Sequence, residues 1–267
     1  MAKRPQSLLL VFILCAMSLT GCTEDSAMGD EYTGPISLIV YYDTTSGQIE
    51  QTWSQGTQGQ TTGVSLSFDL AGTTSSAGAI VSVTLDPGDG TTPIEQNVGE
   101  DGAEISYEWQ THGLFMVAAG AIDSEGNAHN TTIKIRVDKH ITYGINNVNE
   151  DGHTMTFSMS PDNDGPLANR LSITSTADNS GGGGLPLTGG GTAEVTWELK
   201  NAEDTMISSE DKTIADGSSE EWSTTSQSTS EGDWTLFVSS EGDSVTVNHD
   251  VSILYTEGSE SPANPRP

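Results

Sequence analysis

The chain has 267 residues, 33% of them hydrophobic, and carries 38 acidic against nine basic side chains, for a formal charge of −29. A surface that anionic repels DNA, RNA and anionic lipid headgroups, which excludes nucleic acid as a partner. The low hydrophobic fraction points to thin cores and long loops, and the length to two domains.

Residues 1–21 open with Lys3-Arg4, continue through an apolar run centred on Leu8 to Leu14, and end at Leu19-Thr20-Gly21 before Cys22. This is the layout of a secretory signal, and the run is too short to span a ~30 Å hydrocarbon core, which takes about 20 apolar residues. Leu19-Thr20-Gly21-Cys22 resembles a lipobox, the site at which prokaryotic lipoproteins are cut before a cysteine that receives lipid on its sulfur. The resemblance implies an exported protein, lipid-anchored through Cys22 to the cell membrane or envelope and facing outside the cytoplasm. An ordinary signal with a coincidental cysteine is the alternative. Cys15 leaves with the leader, so Cys22 is the only remaining thiol and closes no intrachain disulfide. Loss of the leader also leaves seven bases against 38 acids, a net charge of −31. Residues 22–35, with Glu24, Asp25, Asp30 and Glu31, read as a flexible acidic tether.

Ile36 to Tyr42 is dense in β-branched and aromatic residues and predicts a first strand. Gln48 to Gly63 is polar and contains Trp53. It reads as a loop or edge strand with the indole tucked onto the sheet, or else as an exposed aromatic that stacks on a sugar ring, so Trp53 is a candidate ligand-binding residue. Val64, Leu66 and Phe68 alternate as a strand, as do Val81, Val83 and Leu85, which run into Asp86-Pro87-Gly88-Asp89-Gly90. Proline removes a ladder donor and the glycines allow positive φ, so the backbone reverses there. Tyr107, Trp109, Gly113, Phe115, Val117 and Ala119 alternate next, then a turn at Asp123 to Asn127 leads to Ile133, Ile135 and Val137.

These residues resemble the PKD domain, an immunoglobulin-like β-sandwich common on cell surfaces. Its tryptophan, aspartate, aromatic, Gly-Asp-Gly signature falls on Leu85, Asp86, Pro87, Gly88, Asp89 and Gly90, with the turn kept and both aromatics lost. Its second signature falls on Tyr107, Trp109, Gly113, Phe115, Val117, Asp123 and Gly126. The resemblance covers Ile36 to Asp138 and implies a spacer or a surface for protein and polysaccharide contact. Trp109 is expected to fill part of the core volume vacated by the missing tryptophan. Lys134 and Arg136 face away from the apolar side and are expected to neutralise acids on a neighbouring strand.

A second β-sandwich, jelly-roll-like or immunoglobulin-like, is expected over residues 141–256. Its strands are marked by Met155, Phe157 and Met159; Leu171 and Ile173; Val195, Trp197 and Leu199; Trp234, Leu236 and Val238; and Val251, Ile253 and Tyr255. Trp197 to Leu199 returns through Met206-Ile207 as a hairpin, and Gly232 to Leu236 resembles the closing strands of jelly-roll-like accessory domains attached to secreted proteases. Gly181 to Gly191 reads as a flexible loop, and residues 257–267 as a disordered tail. The fold class is therefore all-β, two tandem sandwiches.

Catalytic patterns are missing. None of the five histidines lies at His-Glu-x-x-His spacing, no Gly-x-Ser-x-Gly elbow occurs, and no thiol remains beside the anchor to act as a nucleophile. Two acidic turns are candidate calcium sites, Asp86 with Asp89 and Asp162 with Asp164, although Asp, Asn and Gly are also what a tight turn selects. In the second, Ser160 and Leu171 stand where an EF-hand loop has its first and twelfth ligands. No other cofactor is implied. The expected function is non-catalytic, a lipid-anchored surface protein contacting extracellular proteins or polysaccharides. The alternative is an accessory substrate-binding subunit for an extracellular hydrolase.

Overall fold

Alternation at a period of two governs the whole chain, and the structure, a computed structural model, describes residues 32–180 and 191–256 as strands joined by turns, with one four-residue helical turn. The leader, Cys22, the glycine-rich residues 181–190 and the tail 257–267 lie outside the described residues. The described residues from Gly34 onward belong to one compact unit.

The first ten strands are β1 (Ile36–Ser37), β2 (Ser46–Ser54), β3 (Thr57–Thr62), β4 (Val64–Asp69), β5 (Thr74–Ser75), β6 (Ile80–Asp86), β7 (Ile94–Asn97), β8 (Glu104–Trp109), β9 (Gly113–Asp123) and β10 (Ala128–Val148). One layer is the antiparallel pair β4–β8; the other runs β7-β6-β9-β10 and continues through β2 to β3. β2 pairs parallel with β10, and the other ladders of this layer are antiparallel. The inward residues Val64, Leu66 and Phe68 of β4, Phe115, Val117 and Ala119 of β9, and Ile133, Ile135 and Val137 of β10 form one buried cluster. This is an immunoglobulin-like sandwich. Trp109, 1% exposed, lies within it against Phe68, Tyr107 and Phe115, and its indole N–H donates to the Pro87 carbonyl at 3.3 Å. The expected core role of Trp109 is thus met.

Two expectations are corrected. Only Ile36–Ser37 of the expected first strand joins a sheet, pairing with Thr74 and Ser75 of β5, and Tyr41 makes a single bridge to Asp69. The Thr73 hydroxyl accepts from the Ile39 N–H at 3.0 Å and donates to the Ile39 carbonyl at 2.9 Å, so a side chain takes the place of a strand partner. Val81 is 40% exposed, not inward. A register shift between Ile80 and Ser82 against β9 inserts one extra residue, and that bulge turns Val81 out while Ser82 and Val83 are both buried.

The remaining strands are β11 (His153–Ser158), β12 (Arg170–Asn179), β13 (Ala193–Lys200), β14 (Met206–Ile214), β15 (Ser218–Ser226), β16 (Asp233–Gly242) and β17 (Val245–Leu254). The sheet β15-β12-β17-β10 faces the sheet β11-β16-β13-β14. Between them lies a second cluster containing Trp197, Trp222 and Trp234, with Trp197 and Trp222 stacked at 6.4 Å. The expected inward residues of these strands are all buried. The β13–β14 hairpin is present, its turn held by the Asn201 carboxamide oxygen, which accepts from the Glu203 and Thr205 amides.

β10 joins the two cores. Residues 128–137 pair with β9 and residues 139–148 with β17, while β2 pairs with residues 136–144. Because β2 overlaps both ladders, β9 and β17 share one edge of β10 end to end and β2 splints the other. The junction expected at Lys139-His140 falls inside this strand, whose 21 residues span about 70 Å at ~3.3 Å each.

Candidate functional site

Where β9 begins and β17 ends, both against β10, polar side chains collect. His112 is 4% exposed, with Nδ1 2.8 Å from the Tyr255 hydroxyl and Nε2 3.3 Å from the Ser158 carbonyl. A carbonyl only accepts, so Nε2 carries the proton and Nδ1 accepts from Tyr255. Burial, reinforced by the Lys139 charge, lowers the His112 pKa to about 4. Burial, with Asp138 and Asp162 nearby, raises the Tyr255 phenol well above its usual value. Burial also lowers Lys139, against the attraction of Asp162. At neutral pH the His112–Tyr255 pair is therefore uncharged on both sides.

Asp138 and Asn163 complete the joint. The Asp138 Oδ1 accepts from the Tyr255 N–H at 2.8 Å, and Oδ2 lies 3.3 Å from Arg136 Nε. Arg136 and Asp138 meet along their own strand because i and i+2 share a face. Asn163, in the acidic turn after β11, donates from Nδ2 to the Leu114 carbonyl at 2.8 Å and so fastens that turn to the first sandwich.

Beside this joint opens a cleft of about 370 Å³ lined by Arg136, Asp138, Asn169, Arg170, Gln227, Leu254, Tyr255 and Thr256. The Asn169 Oδ1 accepts from the Thr256 N–H at 2.6 Å, which fixes that carboxamide at the mouth. None of these residues was a candidate binding residue in the sequence, where Arg136 was read as a partner for acids and Tyr255 as an inward strand residue. The available signal was the scarcity of arginine: Arg136 and Arg170 are the two arginines among the described residues, and both line this cleft.

The residues singled out from sequence lie elsewhere and apart. Trp53 is half-buried on β2, stacked on Tyr143 of β10 with centroids 6.0 Å apart, and packs against the second core. Asp86 accepts from the Gly88 N–H at 3.0 Å. Asp89 accepts from the Thr91 hydroxyl at 2.6 Å, the Thr91 N–H at 3.0 Å and the Tyr107 hydroxyl. Burial works to raise the Asp89 carboxyl, but these hydrogen bonds outweigh it and hold it below the usual range. Asp162 and Asp164 flank Asn163, with Asp164 at φ 53°. Among the described residues no three His, Cys, Asp or Glu side chains gather as a metal site. Cys22 lies outside the described residues.

No family model and no curated protein sequence matches the chain. Among solved structures, the chain is similar to carbohydrate-binding modules of the β-sandwich superfamily, at 10% identity and a TM-score of 0.31, over 84% of this chain and 99% of that one. It is also similar to fibronectin(III)-like modules of Clostridium thermocellum CbhA, at 12% identity and a TM-score of 0.24, over 84% and 100%. A third is the Bacteroides ovatus mixed-linkage glucan utilization protein SGBP-B, at 12% identity and a TM-score of 0.17, over 76% and 52%.

Proposed function

We propose that the chain is a non-catalytic surface protein, exported and moored by lipid at Cys22, whose two sandwiches act as one stiff body that holds a contact surface for extracellular polysaccharide or protein away from the membrane. The observation that carries this reading is the splinted strand: β10 passes from one core to the other with β2 on one edge and β9 and β17 on the other, so bending at the joint would break ladder hydrogen bonds. The polar groups at that joint are spent on one another, as in the His112–Tyr255 and Asp138–Tyr255 bonds, which suits fixing geometry rather than proton transfer.

The test has two arms. Wild-type protein should partition with membranes and Cys22→Ser should appear in the soluble fraction; retention of the serine variant in the pellet overturns the anchor. The mature chain should co-sediment with insoluble cell-wall or matrix polysaccharides, or capture secreted proteins, without releasing reducing ends or new amino termini. Release of either overturns the non-catalytic reading.

A further inference from the structure

We propose that the cleft at the joint binds the carboxylate of an acidic sugar, a uronate carried on an extracellular polysaccharide; this narrows the binding reading above and rests on it. The guanidinium group is a planar fork that meets a carboxylate through two parallel hydrogen bonds. Arg136 keeps Asp138 at 3.3 Å from its Nε, so the fork that the cleft offers a ligand is that of Arg170, which is exposed and has no acidic partner among the described residues. The Asn169 oxygen is committed to the Thr256 amide, which leaves its NH₂ to donate, and Gln227 and the Thr256 hydroxyl add neutral donors and acceptors of the kind that pair with sugar hydroxyls. The volume of about 370 Å³ lies within the roughly 300–1,000 Å³ of small-ligand sites. Leu254 and Tyr255 complete the lining, and the guanidinium and carboxamide groups among the others suit a polar ligand.

Charge narrows the ligand further. A second groove of about 400 Å³, on β13, β14 and β16, is lined by Glu194, Asp211 and Glu241 with one base, Lys212, whereas the cleft sets Arg136 and Arg170, the two arginines among the described residues, against one acid, Asp138. The chain as a whole repels a dense polyanion, with screening over about 8 Å at physiological salt. The fitting ligand is therefore a polysaccharide with isolated uronate groups.

The test is an NMR titration of the full mature chain with galacturonic acid, galactose and sodium acetate. Galacturonic acid should shift the amides of Asn169, Arg170, Gln227 and Thr256 at millimolar concentration, and more tightly than either control. Arg170→Ala should weaken it roughly tenfold or more, and Arg170→Lys, which keeps the charge and loses the fork, by an intermediate factor. Arg170 is exposed, so unchanged spectral dispersion elsewhere will confirm that the variants fold. Equal binding of galactose, equal binding of acetate, or an unaffected Arg170→Ala overturns the proposal. A variant carrying Glu257→Gln and Glu260→Gln separates an external carboxylate from the chain's own: binding seen in that variant alone assigns the cleft to the tail and overturns it as well. Failure with galacturonic acid while neutral polysaccharides still co-sediment removes this assignment and leaves the broader reading standing.

Discussion

The Asp138 carboxylate accepts a hydrogen bond from the Tyr255 backbone amide at 2.8 Å, joining the midpoint of β10 to the residue just past the end of β17. The same carboxylate sits beside Arg136 and is 9% exposed, so one side chain orders both the joint and a wall of the cleft. Asp138→Ala strands a buried N–H and removes a carboxylate from beside the Arg136 guanidinium. Urea unfolding should show a loss of about 1–3 kcal/mol. Asp138→Asn keeps an acceptor for Tyr255 and should lose less. Equal losses for the two would show that charge, and not the hydrogen bond, is what matters there.

Two buried histidines make the fold sensitive to mild acid. His249 is 1% exposed; burial, with the His153 charge as a lesser cause, lowers it to about 3, and burial lowers His112 to about 4. His249 faces Ser175 at 2.9 Å, Tyr143 and His153, while His112 faces Tyr255, Ser158, Lys139 and Asp162. Both folded values lie below the unfolded value of about 6.5, so the unfolded chain takes up protons first as pH falls. The stability is intact above about pH 6.5 and is lost progressively toward the folded values, by roughly 2 kcal/mol per histidine at pH 5. Urea midpoints measured between pH 7 and 5 should fall for the wild type, and much less for a His112→Gln, His249→Gln double variant. A wild-type midpoint that stays level would mean that the imidazoles are hydrated in the folded state.

The sequence made the strands legible wherever one face is buried without interruption, as at Phe115, Val117 and Ala119, because side-chain period and burial then coincide. Val81 broke the pattern because a bulge is one extra residue, invisible to a count of alternating residues. Ile36 to Tyr42 had strand composition, yet Thr73 supplies by side chain what composition assigns to a partner strand. The cleft was illegible for a different reason. Arg136 and Arg170 lie on strands that meet only through β17, and that adjacency is a product of pairing order rather than of any local spacing.

At the first acidic turn, Asp89 is held by Thr91 and Tyr107, so its oxygens already have donors. Asp89→Ala should cost about 1–2 kcal/mol in thermal or urea unfolding through those lost bonds. Millimolar calcium should leave the wild-type melting temperature unchanged, since coordination would have to displace them. A calcium-dependent rise that disappears in Asp89→Ala would instead make the turn a metal site.

Trp53 gives the last prediction. It pairs in register with Tyr143, stacks on it at 23° between ring planes, and the Tyr143 hydroxyl is bonded in turn to His153. One face of the indole is thereby covered, and the strand that carries it is the splint along β10. Trp53→Ala removes an aromatic pair worth about 0.5–1.5 kcal/mol beyond its buried area. The loss should be felt first along the splint, because among the described residues β2 pairs with β10 and the exposed β3. Hydrogen exchange should accelerate at Thr52 to Gln55 and at the facing Thr142 to Gly144, with β12 and β13 in the second core unchanged. Acceleration spread evenly through both cores would show that Trp53 supports global stability rather than the joint, and would remove β2 as the element that keeps the two sandwiches in line.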